Sequence, residues 1–284
     1  MIELQHDAEH AISLLVEGGL LCRYVYAPKT PEAESPRPYF HPLKSLDGDT
    51  LTNFRPNDHP WHHGLSLTLN QVSGLNFWGG PTYVRDRGYQ RLANHGAQHH
   101  VAWSQLKADG AKAELAHTLQ WRRGTEILFD ETRSLEITID QGARSWSLRW
   151  HSQLINTSGR VLSLGNPHSD GGLVGSHYTG LCFRGVREFL DDHLDSSIKV
   201  IAEGGLDGVA SVHGAPARWM EWHGQLDTSL NRVIIRFENH SKPLHWFVRR
   251  NSPLMAFPLQ FDQNQELATG EALELDHTLT FSAT

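Results

Sequence analysis

Histidines, one carboxylate and tryptophan crowd into a short part of this chain. Arg37-Pro38-Tyr39-Phe40-His41-Pro42-Leu43 is followed by Asp47-Gly48, then by Asn57-Asp58-His59-Pro60-Trp61-His62-His63-Gly64-Leu65, and a strand later by Asn76-Phe77-Trp78-Gly79-Gly80. An imidazole near its ordinary pKa can take or give a proton at neutral pH. His59 and His62 are therefore the acid/base candidates, with Asp58 to orient or polarise them. The prolines after His41 and His59 force those residues into extended or turn geometry, at strand ends or in loops, where side chains converge on ligands. If the backbone around them is extended, His62 and His63 point in opposite directions.

The same residues have the ligand types of a divalent-metal site: His59 with His62, plus His41 and Asp58. Pro60 between the two histidines disfavours the helix on which His-x-x-His pairs usually chelate. Further along, Asn166-Pro167-His168-Ser169-Asp170-Gly171-Gly172 offers a second polar loop, so His168 and Asp170 join the substrate-contact candidates. Trp61, Trp78, Trp219 and Trp222 could stack on a sugar ring, whose C–H face is apolar and whose rim is polar. Trp61 is the best of these because polar residues flank it, whereas Trp146 and Trp150 read as core. Glu221, set among Trp219, Met220 and Trp222, would have its pKa raised if it were buried in a pocket wall.

The elements that must position these groups are strands. Leu65, Leu67 and Leu69 alternate with polar residues, as do Leu135, Ile137 and Ile139, and Trp146, Leu148 and Trp150; Leu244, Trp246 and Val248 oppose His245, Phe247 and Arg249, and Leu273, Leu275, Leu279 and Phe281 close the chain. This period of two puts one apolar row on one face. Val233 to Phe237 reads as a more buried strand. Helical signals are few: Asp7 to Leu15 as a short helix, and Val186 to Leu194 as a turn or two. Thr30 to Pro38, with three prolines and two glutamates, reads as an exposed loop. Many short strands punctuated by Gly, Asp, Asn and Pro predict an all-β sandwich or barrel, with residues 1–284 as one domain.

Composition removes several classes of function. A formal charge of −7 with no Lys/Arg cluster argues against nucleic acid. The apolar run from Ala11 to Leu21 is too short for a membrane span and is broken by Glu17 and two glycines, and Met1-Ile2-Glu3-Leu4 lacks a basic leader. A cytoplasmic location is the expectation, with no membrane partner. Cys22 and Cys182 sit in apolar stretches and are expected as buried free thiols. No Gly-x-Gly-x-x-Gly turn or phosphate-binding loop calls for an organic cofactor. The 19 histidines and nine tryptophans are the unusual part of the composition.

The order Pro-Tyr-Phe-His-Pro, Asp-Gly, Asp-His-Pro-x-His-x-Gly-Leu and Asn-Phe-Trp resembles an uncharacterised bacterial family labelled the "methane oxygenase PmoA" family. The resemblance continues through Gly171-Gly172-Leu173 and Trp219-Met220-Glu221-Trp222-His223-Gly224 to Trp246-Phe247-Val248-Arg249. The chain departs from the usual pattern at Trp61, where a histidine is common, and at His63, where an arginine often stands. The membrane subunit behind that label is a bundle of helices, which a chain without a span cannot form. The family is similar instead to galactose-mutarotase-like supersandwiches: large, antiparallel, with an open concave face that binds sugars. This resemblance implies that Arg184 is a strand-borne arginine directed at sugar; with it, His41 is expected to hold a substrate oxygen. It also implies a carbohydrate-processing enzyme, an epimerase or isomerase, or a lyase or hydrolase, acting on a small-molecule carbohydrate. A metal-dependent oxygenase or hydrolase and a non-catalytic sugar-binding protein are the alternatives, and a homo-oligomer stays open.

Overall fold

The computed structural model describes every residue except 242, and it is built almost wholly of antiparallel strands. One sheet has eight strands, in the order Ile2–Asp7, Ala11–Val16, Gly19–Val25, Tyr39–Leu43, Leu65–Thr68, Gly180–Arg184, Leu254–Phe257 and Phe247–Val248. The other has nine, running from Leu206–Asp207 through Lys199–Ala202, Trp219–Gln225, Arg232–Asn239, Ala272–Ala283, Ser145–Asn156, Glu126–Asp140 and Lys112–Arg123 to Ala97–Asp109. The two sheets pack face to face. Tyr24 and Phe40 from the first meet Trp150 of the second, and Phe183 meets Trp222, Phe237 and Phe281. The fold is a large antiparallel sandwich. Among the described residues, no helix is long and apolar enough to cross a membrane.

The period-two rows fill this interface. Leu135 and Ile137 are fully buried while Glu136 on the same strand is exposed, and Trp146, Leu148 and Trp150 are buried along Ser145–Asn156. Val233, Ile235 and Phe237 alternate with part-exposed neighbours, so that strand is half-buried rather than buried throughout. Asp7 to Leu15 is not helical. It forms the turn and return strand of a hairpin between Ile2–Asp7 and Ala11–Val16, because edge pairing with the sheet supplies more hydrogen bonds than a two-turn helix. Val186 to Leu194 keeps only a short 3₁₀ turn at Arg187–Phe189. Cys22 and Cys182 are both free and buried.

Burial of neutral imidazoles makes the fold acid-sensitive. His277 lies in the core, stacked on Phe257 with ring centres 4.1 Å apart, and neither ring nitrogen has a partner among the described residues. Desolvation drives its pKa down to about 3. The unfolded chain binds that proton near pH 6.5 and the folded chain does not, so stability is complete above pH 6.5 and falls as pH drops toward 3. The expected loss by pH 4 is about 3 kcal/mol from this residue. His277→Phe should flatten the fall of Tm between pH 6.5 and 4; an unchanged slope would contradict the assignment.

Candidate functional site

Strand Gly180–Arg184 carries the floor of the site. Leu181 and Phe183 point into the core between the sheets, so Cys182 and Arg184 point to the outer face of the eight-stranded sheet. Loops fold over that face, which is why Ser66 and Thr68 are buried although they alternate with leucines. The result is an open cavity of about 590 Å³, within the usual range of small-molecule sites of about 300–1,000 Å³. Asp58, His59, Trp61, His62, Trp78 and Arg184 all line it.

The segment from Asn53 to Gly64 is pinned to this floor by its own backbone. Asn53 N–H donates to the Arg184 carbonyl, Gly64 N–H to the Asn53 carbonyl, and Arg184 N–H to the Gly64 carbonyl, at 2.8–2.9 Å. Between them a tight turn forms, with His62 N–H donating to the His59 carbonyl at 3.0 Å. Residues three apart in such a turn share a side. The His59 and His62 rings are accordingly stacked, with centres 5.0 Å apart. His63 points the other way, where its Nε2 meets the carboxylate of Glu34 at 3.0 Å.

The stretch Thr30 to Pro38, expected as an exposed loop, is instead the clamp that holds this turn. Glu34 is buried and also accepts from Arg55 at 2.7 Å. Burial raises its carboxyl, but the hydrogen bonds from His63 and Arg55 outweigh that and leave the pKa below the ordinary range. Arg37, fully buried, donates to the carbonyls of Glu34, Ser35 and Trp61 and to Ser66 Oγ. Desolvation is the cause that sets His63 near pKa 4, with Arg37 adding to it against the pull of Glu34. Three prolines and two acids read as solvent-facing because sequence does not show that Arg55 and His63 fold back onto Glu34.

Two imidazoles with different electrostatics face the cavity. His62 is buried, and neither of its nitrogens has a hydrogen-bond partner among the described residues; Nδ1 is fully enclosed. Desolvation, then the positive charge of Arg184, hold its pKa well below the usual histidine value, so it is neutral at pH 7. His59 is half-exposed, and its Nδ1 lies 3.0 Å from Asp58 Oδ2. Partial burial raises the Asp58 carboxyl, but the His59 hydrogen bond and the nearby Arg187 charge prevail and keep it ionised. Such a pair favours Nδ1–H toward the carboxylate and leaves Nε2 free.

Aromatic rings form the walls. Trp61 packs edge-on against His59 at 5.0 Å, and Trp78 stands edge-on to His62 at 5.8 Å and to Tyr178 at 5.3 Å. Asn76 Oδ1 accepts from the N–H groups of Trp78 and Gly79, which fixes the turn. Gly79 and Gly80 have φ of +95° and +69°, and a Cβ on Gly80 would stand 2.4 Å from the Trp61 indole. The glycines thus let the indole lie flat on backbone. Gly80→Ala is expected to displace Trp61 and weaken ligand binding at least about tenfold, while costing about 1–3 kcal/mol in stability. Ligand affinity and Tm that are identical in the variant would contradict this.

Six of the sequence candidates lie elsewhere. His41 stacks on Phe54 at 5.4 Å and bonds Thr52 Oγ1 at 3.0 Å, and desolvation brings its pKa to about 4; it packs behind the turn rather than facing the cavity. His168 faces Asp262 and His177 instead, and Asp170 is exposed with its carboxylate on Asn264; only their neighbour Pro167 reaches the cavity wall. Glu221 is on the far sheet, on the face opposite the core-facing Met220 and Trp222, paired with Arg236 at 2.7 Å and His223 at 2.8 Å. Its pKa is lowered: burial raises it, but Arg236 and His223 outweigh that, the reverse of a carboxylate enclosed by indoles. Trp222 is core, and Trp219 lies under the Arg236 guanidinium.

Cavity residues that sequence reasoning passed over are Arg187, Arg249, Tyr178, Tyr83, Tyr89 and Ser252. Arg249 ends the Trp-Phe-Val-Arg block already visible in the chain; nothing local marks the others. The metal-ligand set weighed as an alternative, His59 and His62 with His41 and Asp58, does not assemble among the described residues, because His41 is turned away and Asp58 is engaged by His59 and Arg187. Among the described residues, one group has metal-ligand geometry, His168, His177 and Asp262 with ligand atoms within 4.8 Å, and it lies outside the cavity. His168 Nδ1 there accepts from Gly175 N–H at 3.3 Å, which puts the neutral imidazole's proton on Nε2 and opposes metal ligation through that atom.

A family model matches residues 11–283, nearly the whole chain. The chain belongs to DUF6807, a family of unknown function. That description does not carry the methane-oxygenase label raised by the sequence resemblance. No curated protein sequence matches this DUF6807 member. Among solved structures it is similar to a galactose mutarotase-like protein from Lactobacillus casei, at 9% identity and TM-score 0.41, covering 99% of this chain and 100% of that one. It is also similar to the α-galactosidase AgaA of Geobacillus stearothermophilus, at 7% identity and TM-score 0.44, covering 100% and 39%. The galactosidase domain of AgaSK gives 9% identity and TM-score 0.45, covering 100% and 42%. The chain thus spans about two fifths of the α-galactosidase chains it matches. These likenesses concern sandwich architecture, and the chemistry is argued from the DUF6807 chain's own residues.

Proposed function

We propose that this DUF6807 member is a carbohydrate-processing enzyme that moves a proton on a sugar, as an epimerase or isomerase or as a lyase or hydrolase. The observation that carries the reading is the stacked pair of imidazoles, one neutral and unpartnered, the other bound to an ionised carboxylate, beside an indole wall in an open cavity. His62 is the base, because a neutral imidazole with a free nitrogen can accept a proton. His59 is the acid, because Asp58 holds its ring through Nδ1 and leaves Nε2 free to exchange a proton with the substrate. Trp61 lies where the apolar face of a sugar ring would stack. The reading asks for no organic cofactor.

The test is NMR of a sugar panel in D₂O with added protein, which reads new products, accelerated anomer exchange and carbon-bound deuterium together. At least one sugar should respond, and His59→Gln should slow that response about 100-fold or more. Sugars that raise the Tm without any such change would favour a non-catalytic sugar-binding protein.

A further inference from the structure

Charge inside the cavity indicates what kind of sugar it takes. Arg184, Arg187 and Arg249 line it against one carboxylate, Asp58, so the fixed charge is three minus one, +2, in a chain of formal charge −7. Arg187 is engaged, donating to Asn57 Oδ1 at 2.7 Å and Asp58 Oδ1 at 2.9 Å. Arg249 has no carboxylate within salt-bridge distance and no side-chain hydrogen bond among the described residues; its guanidinium sits 5.7 Å from the Tyr178 ring centre. Arg184 is the more unusual of the two.

Two other arginines are as buried as Arg184, and both are fully met. Arg133 is held by Glu131, Tyr24 and Gln98, and Arg37 by four oxygen acceptors. Among the described residues Arg184 has the Ser252 hydroxyl alone, and its Nε is buried without a partner there. A buried cation with so few acceptors is costly unless something else neutralises it. Strand register brings the unpaired pair together: Arg184 pairs with Leu254, and Arg249 N–H donates to the Leu254 carbonyl. Their backbones are therefore two strand spacings apart, roughly 10 Å, which two long side chains can bridge around one anion.

We propose that the cavity binds an anionic sugar, with its carboxylate or phosphate held by Arg184 and Arg249 and its ring against Trp61. This rests on the sugar-site reading above. Guanidinium and oxyanion make strong charge-assisted bonds, and a positive cavity in a negative protein selects the charged ligand from its neutral analogue.

Calorimetric titration with D-glucose, D-glucuronate and D-glucose 6-phosphate, and with the galactose set, tests both layers. The anionic member should bind about tenfold to a hundredfold tighter than its neutral counterpart, with a preference that shrinks at high salt. Preference for the uronate or for the phosphate identifies the anion. Arg249→Gln should remove the preference, weakening the anionic member far more than its neutral counterpart. Equal affinity for neutral and anionic members would overturn the anionic proposal and keep the sugar site. Binding of acetate or inorganic phosphate with no sugar bound at all would overturn both.

Discussion

Replacing Glu131 with alanine should lower stability by about 3–5 kcal/mol, the cost of leaving a buried charge alone. Glu131 and Arg133 are both fully buried, two residues apart on strand Glu126–Asp140, at 2.8 Å. The carboxylate also accepts from Trp121 Nε1 at 2.7 Å and Ser152 Oγ at 2.6 Å. Arg133 reaches across the sandwich to Tyr24 Oη at 2.9 Å and lies over the Trp150 ring at 4.5 Å. Removing the acid strands a cation and two donors between the sheets. In a chain of this length the loss should read as a fall in Tm of roughly 10 °C. The double variant Glu131→Leu with Arg133→Met should recover much of it, since packed apolar groups of similar volume replace such pairs at little cost. A loss below about 1 kcal/mol in the single variant would show that the pair is not the polar keystone of the core.

His62→Gln should reduce turnover by about 10²–10⁴-fold on any sugar the protein converts, the range for losing a positioned general base. Its effect on folding should be small, because among the described residues no group bonds to either imidazole nitrogen and the buried Nδ1 is already unpartnered. The loss should fall on kcat more than on KM, since His62 acts in the proton transfer rather than in holding the ligand. The acid limb of the kcat/KM profile should lie below the ordinary histidine value, because burial and Arg184 keep His62 neutral through the neutral range. Unchanged turnover in His62→Gln with an intact fold would remove this residue from the mechanism.

Much of this molecule can be read from local pattern. Rows such as Leu135-Ile137 and Trp146-Leu148-Trp150 specify strands with one buried face, because alternation is a property of the strand itself. At Asn57 to Gly64 the prolines restricted the backbone to extended or turn geometry, and the tight turn that forms there is a structural result. Its arrival in one cavity with Trp78 and Arg184 is a structural result, reached through strand pairing between Leu65–Thr68 and Gly180–Arg184.

Reading failed where partners are far apart in sequence. His41 and Glu221 have suitable chemistry, yet one packs on Phe54 behind the turn and the other pairs with Arg236 on the opposite sheet. Glu34 looked solvent-facing until Arg55 and His63 closed on it. The chain by itself determined the strands and the residue types available for proton transfer, since these depend on neighbours within a few bonds. Tertiary structure alone decided which imidazole is neutral, which arginine lacks an acid and which carboxylate is buried. Those properties come from desolvation and charge at a few ångströms through space, and the distance along the chain does not encode them.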